Sequence, residues 1–115
     1  MKKPILILAV SAALFAQIVG PGTITATVAS SGTPVRLTTT NIQAKSFAVQ
    51  LTAGTATICV GASTVSESSG TGTCVTGTTL NIYYPPSDGL VYDLSLYYVD
   101  ASANSTVVTV NYNVQ

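Results

Sequence analysis

The chain contains no histidine and no tryptophan, and only 7% of its 115 residues are charged, four basic and four acidic, for a formal net charge of zero. Without histidine, proton transfer near neutral pH and transition-metal binding lose their commonest side chain. The bases are Lys2, Lys3, Arg36 and Lys45, two of them within the first three residues. So scattered a set does not supply the clustered cations that hold phosphates, which excludes nucleic acid as the expected partner. The acids are Glu67, Asp88, Asp93 and Asp100. Asp88 sits in an Asp-Gly turn, and Asp93 and Asp100 flank an apolar run where strand ends meet solvent, so no acid–base pair is expected. No catalytic, cofactor-binding or metal-binding residues emerge, and the chain reads as a non-enzyme.

What is present is 47% hydrophobic residues, with a polar remainder made almost entirely of Ser, Thr, Asn and Gly. Ordinary soluble domains carry about 25% charged residues. A chain this poor in charge lacks self-repulsion and tends to associate, which suits a subunit of an assembly, a wall or an extracellular matrix.

Residues 1–20 stand apart. Two lysines precede PILILAVSAALFAQIVG, a run with no charge. This is the layout of a secretory leader, with Ser11-Ala12-Ala13 fitting the small-x-small cleavage pattern. The same run reaches the lower limit for a membrane-spanning helix, bounded by Pro4 and by Gly20-Pro21-Gly22. Cleaved leader, membrane or virion anchor, and buried segment of the fold all remain open, as does membrane contact through residues 1–20.

From residue 21 to 115 the pattern is that of one domain. Apolar and polar residues alternate with a period of two, broken by Gly, Pro, Ser and Asn clusters, which predicts strands and not helices. Ile24, Ala26 and Val28 share one face, followed by Val35 and Leu37. Phe47, Val49 and Leu51 define a strand with Lys45 at its edge. After a turn at Ala53-Gly54, Ala56, Ile58 and Val60 face inward and Cys59 outward. Leu80, Ile82 and Tyr84 form a strand stopped by Pro85-Pro86 and the Asp88-Gly89 turn. Leu94, Leu96 and Tyr98 are expected inward, and Val108, Val110, Tyr112 and Val114 line one face of the last strand. Seven or eight short strands at roughly 8 to 12 residue spacing predict an all-β, single antiparallel β-sandwich of jelly-roll type.

Cys59 and Cys74 are the only cysteines. With no histidine they cannot complete a tetrahedral metal site. The sharper reading is a disulfide closing a flexible Ser/Thr/Gly loop, worth about 3 kcal/mol on chain-entropy grounds; the plainer one is a pair of partly buried thiols. A leader and a bridge agree with each other, because both imply an oxidising compartment. Among the six tyrosines, Tyr83, Tyr92 and Tyr97 are the candidates for an exposed aromatic patch that meets a partner or a sugar, against the ordinary role of half-buried strand residues. Two weaker motifs complete the reading. Gly70-Thr71-Gly72 with Gly77 lacks the Lys and helix that hold phosphate, and Asn104-Ser105-Thr106 is a formal glycosylation sequon.

The segments Pro34-Val35-Arg36-Leu37, Lys45-Ser46-Phe47-Ala48-Val49-Gln50, Ile58-Cys59-Val60-Gly61 with Ser63-Thr64-Val65-Ser66, and Tyr97-Tyr98-Val99-Asp100-Ala101 together carry a resemblance. From Pro34 to Val114 the chain resembles small β-sandwich structural proteins of tailed bacteriophages, of the head-decoration, head-fibre or minor-capsid type. The resemblance implies a virion structural subunit that packs against other capsid or fibre proteins and forms a homo-oligomer. The hydrophobic N-terminal segment and the cysteine pair depart from that pattern. A secreted or periplasmic bacterial β-sandwich subunit (surface matrix, fibre or adhesin at the cell surface) and a carbohydrate-binding module are the alternatives.

Overall fold

A computed structural model describes residues 21–114; the N-terminal segment 1–20, with its leader and anchor alternatives, lies outside the described residues. The described chain forms ten strands and one short 3-10 helix. The strands are β1 (Pro21–Val28), β2 (Val35–Arg36), β3 (Gln43–Ala44), β4 (Ser46–Leu51), β5 (Thr57–Gly61), β6 (Thr73–Thr76), β7 (Asn81–Tyr84), β8 (Tyr92–Asp93), β9 (Tyr98–Ala101) and β10 (Thr106–Asn113), and the 3-10 helix spans Leu94–Leu96.

The pairing is nested. β1 pairs with β10, β2 with β9, β3 with β8, β4 with β7 and β5 with β6, all antiparallel. This is one long hairpin, and it is folded double: β10 also pairs with β4, and β9 with β5. Two four-stranded sheets result, β1-β10-β4-β7 (sheet I) and β2-β9-β5-β6 (sheet II), with β3-β8 as a small bridge at one end. The protein is therefore an all-β antiparallel sandwich with jelly-roll connectivity, in which eight strands make the two sheets. The β3–β8 bridge consists of two-residue strands too short to register as an alternating run.

Uninterrupted alternation explains the long strands. In β4 the residues Phe47, Val49 and Leu51 are buried and their neighbours are half-exposed. In β1 and β10 the inward sets are Ala26 and Val28, and Thr106, Val108 and Val110, as the period of two dictates. Gly22 shows how close these strands lie: the Tyr112 ring covers it so tightly that a Cβ there would fall 2.3 Å from the ring. Between the sheets, Phe47, Val49, Leu51, Val108 and Val110 meet Ile58, Val60 and Val99, and Leu37 and Leu94 close the core from the connections.

The connections are unequal. One end carries the short turns 29–34, 52–56, 77–80 and 102–105. The other carries the longer 37–45, 62–72 and 85–97, together with Pro21 and its partner Asn113. We call these the short-loop end and the terminal end.

Four expectations need correction. Leu80 lies outside β7 and is largely exposed. Leu96 is exposed and Tyr98 only half-buried, because the 3-10 turn resets the alternation, so that Val99 and Ala101 face the core. Cys59 faces away from the core, as the period predicts, yet is fully buried, and so is Asp100 beside it. Finally, the segment after β5 is not a loose loop: Thr71 N–H donates to Ser66 O at 2.9 Å, Gly70 N–H to Glu67 O at 3.0 Å, and Val65 is buried.

Candidate interaction surfaces

Cys59 and Cys74 are direct cross-strand partners in the β5–β6 hairpin, with Cα atoms 4.1 Å apart, and they are joined by a disulfide. Asp100 of β9 pairs with Cys59 on the other side, so Asp100, Cys59 and Cys74 form one row across the outer face of sheet II. Two connections fold over that row. The Asp100 carboxylate accepts Gly32 N–H at Oδ1 (2.9 Å) and Glu67 N–H at Oδ2 (2.8 Å), and Ser31 donates its hydroxyl to Ala101 O at 2.8 Å. One carboxylate, 1% exposed, thus pins segments 29–34 and 62–72 to the sheet. Gly72, at φ +96°, lets this cover close, since a Cβ there would lie 2.6 Å from Val60 O.

The three candidate tyrosines separate. Tyr92 and Tyr97 turn inward and join Phe47 and Tyr84 in a four-ring cluster at the terminal end of the core. Phe47 and Tyr84 stack with centroids 4.4 Å apart, and Tyr92 and Tyr97 meet Phe47 edge-on at 5.3 and 5.1 Å. Tyr92 donates its hydroxyl to Pro85 O at 2.8 Å. Burial lifts the Tyr84 phenol above the ordinary tyrosine value of about 10, with a further push from Tyr97 and partial relief from a hydrogen bond with Thr73. Burial, and then Tyr92, lift Tyr97 in the same direction. Tyr92 and Tyr97 pack on Phe47 at the terminal end of the core, so the three candidate tyrosines do not form one shared exposed patch. Tyr83 alone stands on the surface, 59% exposed, because the pleat of β7 turns it away from Tyr84.

The acids are likewise apart from one another in role. Asp93 caps the 3-10 helix, accepting the Ser95 hydroxyl at 2.6 Å and the Ser95 N–H at 3.0 Å. These bonds, the hydroxyl first, hold its carboxyl below the usual value. Arg36 donates to the Tyr98 hydroxyl at 3.0 Å across the β2–β9 pair. Among the described residues no three His, Cys, Asp or Glu side chains group as a metal site, and no helix is long and apolar enough to cross a membrane. The sequon is engaged in the fold: Asn104 Oδ1 accepts Ser31 N–H at 2.8 Å, and buried Thr106 donates to Ala103 O at 2.7 Å.

Three surfaces remain. The outer face of sheet I carries Thr23, Thr25 and Thr27 from β1, Val107, Thr109, Asn111 and Asn113 from β10, Ser46, Ala48 and Gln50 from β4, and Asn81 and Tyr83 from β7. No residue of these four strands is charged at neutral pH. The face is knitted by side-chain bonds such as Thr23 to Asn111 (2.9 Å) and Thr52 with Thr109 (2.7 Å). At the terminal end, exposed Val91 and Leu96 line a cleft of about 390 Å³ together with Gly61, Ala62, Asp93 and Tyr97. At the short-loop end an open groove of about 580 Å³ runs between Thr52–Ala56 and Ser102–Val107.

Every charged side chain among the described residues belongs to sheet II, to β8 or to a connection at the terminal end. Asp100, expected at a solvated strand end, is instead a buried structural anchor, and no local signal marks it, because its donors lie 68 and 33 residues away. No family model, curated protein or solved structure matches this chain.

Proposed function

We propose that this chain is a non-enzymatic structural subunit of a virion, of the capsid-decoration, minor-capsid or fibre kind, working through protein–protein packing. The observation that carries the reading is the outer face of sheet I, four strands wide without one charged residue. Taking a charge out of water costs several kcal/mol unless it is paired. A face of hydroxyls, amides, one tyrosine and the small apolar Ala48 and Val107 can be covered by a neighbour without that cost, and some of its polar groups, Thr23 with Asn111 and Thr109 with Thr52, already bond one another. The jelly-roll connectivity adds support by analogy only, since one fold serves many roles. Quantitative mass spectrometry of purified particles tests the reading: the chain should appear at a fixed copy number per particle, and its absence would remove the proposal.

A second reading as a carbohydrate-binding module draws on one feature. Exposed Tyr83 borders a shallow depression over Ala48 that Ser46, Asn111 and Asn113 also line. An aromatic ring beside uncharged amides and hydroxyls suits a neutral sugar. That reading predicts glycan binding that Tyr83→Ala abolishes and that vanishes without loss of stability.

A further inference from the structure

We propose that β1 is a self-pairing edge, so that a second copy of this chain adds its own β1 antiparallel to it and joins two copies of sheet I into one continuous sheet. The inference rests on the proposed structural role and names the surface through which copies meet. The sandwich has four edge strands: β1 and β7 in sheet I, β2 and β6 in sheet II. Natural edges are blunted by shortness, charge, proline or bulges, since a bare row of N–H and C=O groups recruits another strand. Three of the four edges are blunted. β2 has two residues, one of them Arg36. β7 has four and runs into Pro85-Pro86. β6 has four, tied to β5 by the disulfide and flanked by Gly72 and Gly77 at positive φ.

β1 lacks all of these devices except a proline at its very start. It runs eight residues in unbroken register with β10, with its only proline at the first position, no charge, and no residue at positive φ. Among the described residues no strand lies on its other side. The chemistry of that row calls for another strand, and the side chains favour an identical one. In an antiparallel pair with its two-fold axis at Thr25, Thr23 lies opposite Thr27 of the partner subunit, Thr25 opposite the partner's Thr25, and on the inner face Ile24 opposite the partner's Ala26. Cross-strand Thr–Thr pairs are among the favourable ones, and with no charge on either strand nothing repels. The pairing is isologous and closes as a dimer, because each copy offers one such edge.

The test is sedimentation velocity on the full-length chain in mild detergent, with the variants Thr25→Lys and Thr25→Asp. Each puts two like charges on the two-fold axis while leaving the core untouched, and circular dichroism checks that both fold. The wild type should sediment as a dimer. Each variant alone should show a dissociation constant raised about tenfold or more, and an equimolar mixture of the two should recover the dimer through a Lys–Asp pair. A monomeric wild type, variants that dimerise as the wild type does, or a mixture that stays monomeric would each overturn the pairing. Particle composition is an independent measurement: a chain that dimerises through β1 and is absent from virions contradicts the virion role and leaves the pairing standing.

Discussion

Asp100 is a buried carboxylate kept in place by two backbone N–H donors from distant segments. Hydrogen bonds to a charged acceptor contribute more than neutral ones, about 1.5–3 kcal/mol each, and removing the acceptor leaves both donors stranded. Asp100→Ala should therefore lower unfolding free energy by about 3 kcal/mol or more, and Asp100→Asn by less, since it keeps one acceptor oxygen. Urea denaturation measures both, and a loss near zero for the alanine variant would contradict the role assigned to this residue. The aromatic plug gives a second residue-scale prediction. Tyr84 and Tyr97 hold their protons above the ordinary value because burial disfavours the phenolate. The unfolded chain releases those protons near pH 10, so the stability they contribute is fully present below that pH and declines as pH rises through it. Tyrosinate absorbance against pH should show two late phenols and a melting temperature that falls above pH 10. A single step near pH 10 for all six tyrosines would count against the buried cluster.

Among the elements, the β5–β6 hairpin is held twice, by its ladder and by the Cys59–Cys74 bridge, whose partners are 15 residues apart. Closing a loop of that length is worth about 3 kcal/mol. The double variant Cys59→Ala/Cys74→Ala should lose about that much while keeping the strand content of the wild type by circular dichroism; an unchanged denaturation midpoint would contradict it. The strands most legible in the sequence are those whose alternation runs without a break: β1, β4 and β10, with Phe47, Val49, Val108 and Val110 facing inward as the pattern dictates. Legibility fails where a local device changes the period. Asp93 accepting from Ser95 nucleates a 3-10 turn of three residues, so the strand that follows starts in the opposite phase, and Leu96 emerges 66% exposed. It fails again where burial depends on segments far away in sequence. Cys59 and Asp100 lie on a nominally outer face, and only the folding of 29–34 and 62–72 over them makes that face a second, smaller interior. Of the candidate contacts, Tyr83 keeps a surface position on the outward side of the β7 pleat, Tyr92 is buried, and Tyr97, just before β9, is half-buried, packing on Phe47 while lining the terminal-end cleft.

At the scale of the whole molecule, the distribution of charge divides the surface more sharply than the fold does. Sheet I and the short-loop end are uncharged throughout the described residues, and the charged groups gather on sheet II and at the terminal end. Composition anticipates the scarcity of charge, but only the jelly-roll wrapping assigns the neutral strands to one face. A charge placed at the centre of that face should leave the fold intact and prevent a neighbour from covering it. Ala48 points outward between Asn111 and Tyr83, so Ala48→Lys should melt within a few degrees of the wild type and enter particles at least about tenfold less often; normal incorporation would argue that this face is not the one covered. The most direct measurement of the packing role is a cryo-electron microscopy map of the intact particle at a resolution that traces strands. A packing subunit should appear in the map as the jelly roll with the outer face of sheet I against a neighbouring subunit. A chain missing from the map, or one whose sheet I faces solvent throughout, would contradict that role.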